Sequence, residues 1–249
     1  MTPRQLARKA RAEFRKSANP RVAAGQRAYF KKWEKVHFHG LKTPEQRRIE
    51  RDLYQLVRKE WTYADAVELC EQLMPDRYIE SKGLALTLLA RYRSRFDEPL
   101  LIRARRWLER GLCDNWAVTD QLATQIISSL IDQFEPLSAT VESWNRSTNL
   151  WVRRSSAVSF VKPAAKGRHL DRAYRIVGVL EPDTHDLIHK ACGWLLRECG
   201  KTNAQRLEKY LKARGPAIPR TTLRYAIEKF PKEKRKRILA VTRIGKNSR

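Results

Sequence analysis

The chain has 249 residues, of which 42% are hydrophobic and 32% are charged, and its 52 Lys and Arg against 27 Asp and Glu give a formal net charge of +25. This apolar content excludes an intrinsically disordered chain, and the charge favours a polyanionic partner, above all nucleic acid, whose phosphates release counterions on binding. The seven tryptophans argue against a ribosomal protein, and the scattering of basic residues over nearly every segment argues against a membrane-surface protein.

Helical periodicity extends over nearly the whole chain, whereas strand-like alternation is almost absent. Prolines lie at or near most of the predicted helix starts and connections. This pattern predicts an all-α protein, an α-solenoid of stacked antiparallel helix pairs, with a compact irregular bundle as the alternative. In chain order, the predicted helices span approximately residues 3–17, 21–36, 44–59, 62–73, 77–95, 99–111, 115–134, 149–162, 184–199, 203–213 and 219–229.

The clearest of these helices, residues 115–134, carries Trp116 and Asp120 on one face, since they are spaced i, i+4. Asp120 lies about 200° around the helix from Val118 and from Leu122, which belong to an apolar ridge. A carboxylate repels phosphate on the surface of a basic protein, which indicates a function for it. The alternative is that Asp120 pairs with an arginine and Trp116 packs under a loop.

Two later helices carry the other candidate residues. Trp151 and Arg154 are spaced i, i+3 and share a face, with Arg153 beside them, and arginine is suited to a bidentate grip on phosphate. Trp194 borders an apolar stripe and follows Gly193, which permits the close approach of another element. An ordinary basic helix start and a half-buried packing tryptophan are the alternatives.

The last segment is the most basic part of the chain. Residues 201–249 contain sixteen Lys or Arg and three Glu, and the run Lys232–Arg237 (KEKRKR) leads into the C-terminus. We therefore predict a folded domain of residues 1–230 followed by a basic, flexible tail of residues 231–249. Such a tail attracts phosphate without reading sequence; a solvated tail without function is the alternative.

Neither a metal site nor a membrane segment is predicted. His185 and His189 share a helix face, but no H-E-x-x-H motif and no third ligand accompany them. The N-terminus lacks the apolar core of a signal peptide, and no run reaches the roughly 20 apolar residues of a membrane span. The four cysteines form no C-x-x-C motif and are typical of buried thiols.

Five segments together resemble the AlkD family of HEAT-like-repeat DNA glycosylases, which remove alkylated purines. Their order and spacing match over about residues 13 to 230, and they are Ala28–Lys32, Gly40–Glu45, Asn115–Asp120, Asn149–Arg154 and Lys190–Glu198. The resemblance implies a right-handed stack of HEAT-like antiparallel helix pairs, whose basic concave face cradles duplex DNA. The basic tail lies outside the family pattern.

The resemblance also implies catalytic residues, because in this family two tryptophans and an aspartate surround the sugar of the lesion. They match Trp116, Asp120 and Trp194. A purine alkylated at N3 or N7 is already cationic, so it leaves without a general acid, and the barrier lies in the oxocarbenium character of the deoxyribose. Asp120 is expected to stabilise that charge and to hold the attacking water, and the indole rings to present electron-rich faces to the cation.

The residues expected to bind DNA are also carried over from the family. Arg154 matches an arginine at the DNA backbone, and Tyr29 matches a tyrosine near the lesion. Arg153 and Trp151, which lie beside Arg154, are expected to contribute to DNA binding. Lys42 is a departure, because some members have Gln before Thr-Pro, and it leaves the contacts at that lesion-facing position open. Lys42 is also the one residue that qualifies the expectation of no Schiff-base lyase step.

The sequence therefore predicts a monofunctional DNA glycosylase for alkylated, cationic purines in double-stranded DNA, which initiates base excision repair. We expect a monomer of the bacterial cytosol or nucleoid that needs no cofactor or metal. Two alternatives stay open: a non-catalytic helical-repeat scaffold that binds nucleic acid, and an interaction solenoid whose basic groove grips acidic peptides.

Overall fold

The structure, a computed structural model, describes residues 1–243. Over these residues the chain forms helices joined by turns and loops, without a β-strand; His37 and Tyr78 form an isolated bridge. The predicted all-α class is confirmed. Within the same residues, no helix combines the length and the apolar character that crossing a membrane requires. The chain divides into two compact units, Met1–Leu130 and a second unit that begins at Ile131.

The first unit has its core around one helix, α5, which is buried on nearly every side and contacts α3, α4 and α7. Its helices are α1 (Pro3–Lys16), α2 (Pro20–Arg27), α3 (Thr43–Gln55), α4 (Tyr63–Leu73), α5 (Ile79–Leu89), a 3₁₀-helix (Ala90–Arg95), α6 (Pro99–Glu109) and α7 (Trp116–Leu122). Helix α7 continues through a π-helical segment (Ala123–Ile127) into α8 (Ser128–Gln133), within which the first unit ends.

The second unit is built around α13, which contacts α10, α11, α12, α14 and α15. Its helices are α9 (Leu137–Ser143), a 3₁₀-helix (Trp144–Arg146), α10 (Leu150–Val158), α11 (Val161–Ala165), α12 (Leu170–Leu180), α13 (Asp186–Thr202), α14 (Ala204–Arg214), a 3₁₀-helix (Gly215–Ala217), α15 (Arg220–Ala226) and α16 (Lys232–Val241).

The helix predicted for residues 21–36 is wrong beyond Arg27, where α2 ends. The Arg27 guanidinium donates to the carbonyl oxygens of Phe30 (3.1 Å), Lys31 (3.1 Å), Lys32 (3.3 Å) and Glu34 (3.0 Å). These bonds satisfy carbonyl groups that a continued helix would use internally. We call residues 28–38 the aromatic loop, after its Tyr, Trp and two Phe residues.

Two helices of the second unit, α9 and α12, were not predicted. The apolar side of α12 is buried, with Ile176 and Val177 in the core. Its start carries no side-chain cap, because the chain enters it through Gly167 (φ 77°) and His169 (φ 55°), both in the left-handed region. A start of this kind lacks the capping residues by which a helix is recognised in a sequence.

The flexible tail predicted from residue 231 is wrong for residues 231–243, which the structure describes. There the chain forms α16, which buries Ile238 and contacts α14. The Arg220 guanidinium donates to the Thr242 hydroxyl (3.2 Å) and fixes the end of the helix. The basic run therefore belongs to a helix that packs through Ile238. Residues 244–249, the rest of the predicted tail, lie outside the described residues.

Candidate active site and nucleic-acid interface

Helix α7 presents Trp116 and Asp120 on the side opposite its core contacts. The side chain of Asn115, which is buried, begins the helix by accepting the Val118 N–H (3.1 Å). Val118 and Leu122 are buried, whereas Trp116 and Asp120, one turn apart, are half-buried. The arrangement matches the faces expected from the helical period. It leaves an indole and a carboxylate together at a partly open surface of the first unit.

A side-chain amide fixes this surface to the core of the unit. Gln121 Nε2 donates to the Gly83 carbonyl (2.9 Å) and to the Thr87 hydroxyl (3.1 Å), both on α5. Because Gln121 follows Asp120 directly, these bonds set the rotation of α7 about its axis. Helix α7 is thus held by a helix that is itself almost wholly buried.

The backbone of this helix widens from Ala123, shortly after Asp120. Residues Ala123–Ile127 form a π-helical segment, and the Thr124 hydroxyl donates to the Asp120 carbonyl (2.7 Å). Single π-helical turns within α-helices occur frequently at functional sites. The apolar period of residues 115–134 gave no signal of this change.

The aromatic loop supplies a residue to which the sequence assigned no role, Phe30. Its ring stacks on the Trp116 indole with centroids 4.8 Å apart and planes 17° apart. On its other side Phe30 contacts Phe38 in a tilted arrangement at 5.5 Å. Beside it, Tyr29 is 82% exposed and Trp33 is 51% exposed. The loop thus covers one face of Trp116 and carries two further aromatic rings at the surface.

The same loop and the start of α3 carry exposed lysines: Lys31, Lys32, Lys35 and Lys42. Lys42 precedes α3 and its side chain makes no capping bond there. Ammonium groups beside exposed aromatic rings are the combination that binds nucleic acid, since one neutralises phosphate and the other stacks on bases. Tyr29 and Lys42 therefore lie on exposed surface suited to the contacts predicted for them.

In the second unit, the predicted DNA-binding residues of α10 have partners within the protein. Arg154 is 5% exposed and donates through Nη1 to the Leu187 carbonyl of α13. Arg153 Nε donates to Asp183 (2.8 Å), and its Nη1 to two carbonyls of the preceding turn. Trp151 is 8% exposed. These residues join α10 to α13 and its preceding loop, and their contact with DNA stays a prediction.

Trp194 is half-buried on α13, next to a glycine whose predicted function is confirmed. A Cβ on Gly193 would lie 2.4 Å from the Tyr225 Cβ and 2.7 Å from the Thr222 carbonyl. The Thr222 hydroxyl donates to the His189 carbonyl (3.1 Å) at the same crossing. Gly193 therefore lets α15 approach α13 closely, and Trp194 stands at the edge of that contact.

The side chains of His185 and His189 form hydrogen bonds within the protein, and the four cysteines are buried. His185 Nδ1 accepts the Leu187 N–H (3.2 Å) at the start of α13, and the His189 ring bonds to the Asp183 carbonyl. Among the described residues, no group of three or more His, Cys, Asp or Glu is placed to hold a metal ion. Burial raises the pKa of the Cys113, Cys192 and Cys199 thiols to about 12, so these thiols stay protonated.

The predicted site residues thus form two groups, one in each unit. In the first unit, Trp116 and Asp120 share a face of α7, and Phe30 brings the aromatic loop with Tyr29 against Trp116. In the second, Arg154 joins α10 to α13, the helix that carries Trp194.

Comparison with known proteins identifies the family. The family model described as DNA alkylation repair enzyme matches residues 10–230. A solved structure, described as a predicted DNA alkylation repair enzyme from Enterococcus faecalis, superposes with a TM-score of 0.75 at 20% identity and covers 87% of this chain and 98% of that one. At this identity the likeness shows the fold alone, which agrees with the predicted series of helical repeats. No curated protein matches the chain. Because the family model spans most of its length, the chain belongs to the DNA alkylation repair enzymes.

Proposed function

We propose that the protein is a monofunctional DNA glycosylase that hydrolyses the N-glycosidic bond of N3- or N7-alkylated, cationic purines in duplex DNA. The observation that carries the proposal is the pair of Trp116 and Asp120 on the open side of α7, in a member of the DNA alkylation repair family. The excess of basic residues supplies the attraction to DNA.

The chemistry asks little of the protein beyond one placed negative charge. An alkylated purine already carries a positive charge and leaves as a neutral base, so no side chain has to protonate it. Positive charge then develops on the deoxyribose, where a carboxylate oriented beforehand stabilises it without reorganisation. Asp120 is the proposed carboxylate, and it also accepts a proton from the water that attacks the anomeric carbon.

Aromatic rings are the second proposed contribution. The faces of Trp116 and Trp194 attract the cationic sugar through their quadrupoles, each by about 0.5–2 kcal/mol. Tyr29 and Lys42, which are exposed, are proposed to contact the DNA directly. For Trp151, Arg153 and Arg154 we propose a contribution to DNA binding that depends on the positions their internal bonds give α10 and α13.

The decisive test is Asp120→Asn. We expect the variant to release alkylated bases at least about 100-fold more slowly, the size typical for loss of one electrostatic stabiliser, while duplex affinity stays within about threefold. Mass spectrometry of bases released from DNA treated with methylating or bulky agents measures the rate and the substrate. Asp52→Asn is the control, since this exposed aspartate pairs with Arg48 on α3 and its removal should leave the rate unchanged.

Two results would contradict the proposal. Release by Asp120→Asn at the wild-type rate would remove Asp120 from the mechanism. Salt-dependent duplex binding by the wild type, with no base released from any alkylated DNA, would favour the non-catalytic scaffold instead.

A further inference from the structure

We infer that Phe30 is a positioning residue that holds the Trp116 indole in the orientation in which it meets the cationic sugar. The inference rests on the proposed function, because it assigns a supporting residue to that same site. Its starting observation is the near-parallel stack of the two rings, 4.8 Å between centroids.

The stack makes the two faces of Trp116 unequal. One face lies against Phe30, and Trp116 as a whole is half-buried. A cationic sugar attracted to the indole face must therefore approach from the side that Phe30 does not cover. That side is fixed relative to Asp120, because both residues project from α7 one turn apart.

Phe30 is itself held in place by contacts of its carbonyl group and of its ring. Its carbonyl accepts from Arg27 (3.1 Å), and its ring also contacts Phe38. Just beyond the loop, the chain is anchored at Gly40, whose N–H donates to the buried Glu80 carboxylate (3.0 Å). Gly40 has φ 87°, and a Cβ there would lie 2.1 Å from the Asn19 carbonyl, so only glycine permits this anchor.

Because the Phe30 ring is held in place, it keeps the Trp116 indole in one orientation. The indole then meets the cationic sugar at a fixed position, and a group misplaced by about 1 Å costs a large part of the rate.

The test compares Phe30→Ala with the wild type in single-turnover release of base from methylated duplex. We expect the rate to fall about tenfold, because the indole loses the ring that orients it. Phe30→Tyr keeps the ring and should restore the rate. Phe30→Leu keeps apolar volume without a ring and replaces the alanine variant if that variant fails to fold.

The control is His37→Leu, which removes a ring from the same loop whose contact is with Tyr78, while the Phe30–Trp116 stack stays. A second readout does not depend on activity: the indole N–H resonance of Trp116, assigned with Trp116→Phe, should lose the ring-current shift of Phe30 in Phe30→Ala and keep it in His37→Leu.

The outcomes separate this inference from the proposed function. An active wild type, together with an unchanged rate and an unchanged indole resonance in Phe30→Ala, overturns the inference alone. An equal loss of rate in His37→Leu also overturns it, because the effect is then one of loop stability. A wild type that releases no base overturns the proposed function and this inference with it.

Discussion

Gly193 shows at the scale of one residue how an absent side chain sets the place of a proposed DNA contact. Its helix, α13, crosses α15 so closely that a methyl group would meet the Tyr225 Cβ at 2.4 Å and the Thr222 carbonyl at 2.7 Å. Backbone and a Cβ cannot move aside as the end of a long side chain can. The neighbouring Trp194 therefore depends on Gly193 for its position.

We expect Gly193→Ala to lower the free energy of unfolding by about 1–3 kcal/mol, the usual cost of an overpacked core. Urea denaturation measures the change. The matched control is Gly178→Ala, in the last turn of α12 with nothing within 4 Å of its added Cβ, which should stabilise the protein by up to about 1 kcal/mol through helix propensity. Equal effects of the two substitutions would show that the crossing at Gly193 is less close than the structure has it.

Among the secondary-structure elements, the sequence predicted correctly those helices whose faces and bounds follow from the period of their own residues. Helix α7 was predicted because its apolar ridge is continuous, and the open face with Trp116 and Asp120 follows from the same period. The end of α2 was not, because Arg27 binds carbonyls that the period of the segment does not reveal. The Phe30 stack joins residues far apart in the chain, and no local pattern encodes such a contact.

The packing of helix α16 can be tested at one buried residue. Ile238 is fully buried there, so we expect Ile238→Ala to lower the free energy of unfolding by about 2 kcal/mol or more, the cost of removing buried methylenes. Val241→Ala, on the same helix and 55% exposed, should change it by less than about 0.5 kcal/mol. Urea denaturation of both variants measures these changes. If residues 231–243 formed a flexible tail, neither substitution would change the free energy of unfolding.

The charge of the whole molecule cannot be neutralised within the chain, because 52 basic residues face only 27 acidic ones. Some arginines serve the fold: Glu142 accepts from Arg172 (2.7 Å) and Arg175 (2.9 Å), which ties α9 to α12. The remaining excess opposes folding by self-repulsion and favours a polyanion as partner. Membership in the DNA alkylation repair family identifies that polyanion as DNA.

The final prediction concerns the salt dependence of binding to undamaged duplex. If the protein contacts six to ten phosphates, its affinity should fall about 10³- to 10⁵-fold between 50 and 200 mM salt. A variant of the aromatic loop with Lys31, Lys32 and Lys35 changed to Ala should lower the slope of log affinity against log salt by about 2 to 3, or roughly 0.9 for each phosphate that the variant no longer neutralises. Fluorescence anisotropy over a salt series measures both.

The control for this variant removes the same charge elsewhere in the first unit. It replaces three basic residues that each pair with an acid one helical turn away, namely Lys9, Arg48 and Arg105. Because the net charge of the two variants is equal, a lower slope in the loop variant alone assigns phosphate contacts to the loop. Equal slopes would instead show that the loop lysines contribute only to the general electrostatic attraction between the protein and DNA. Polyglutamate as competitor completes the test: if it displaces duplex at physiological salt while duplex does not displace it, the basic surface serves acidic peptides and not DNA.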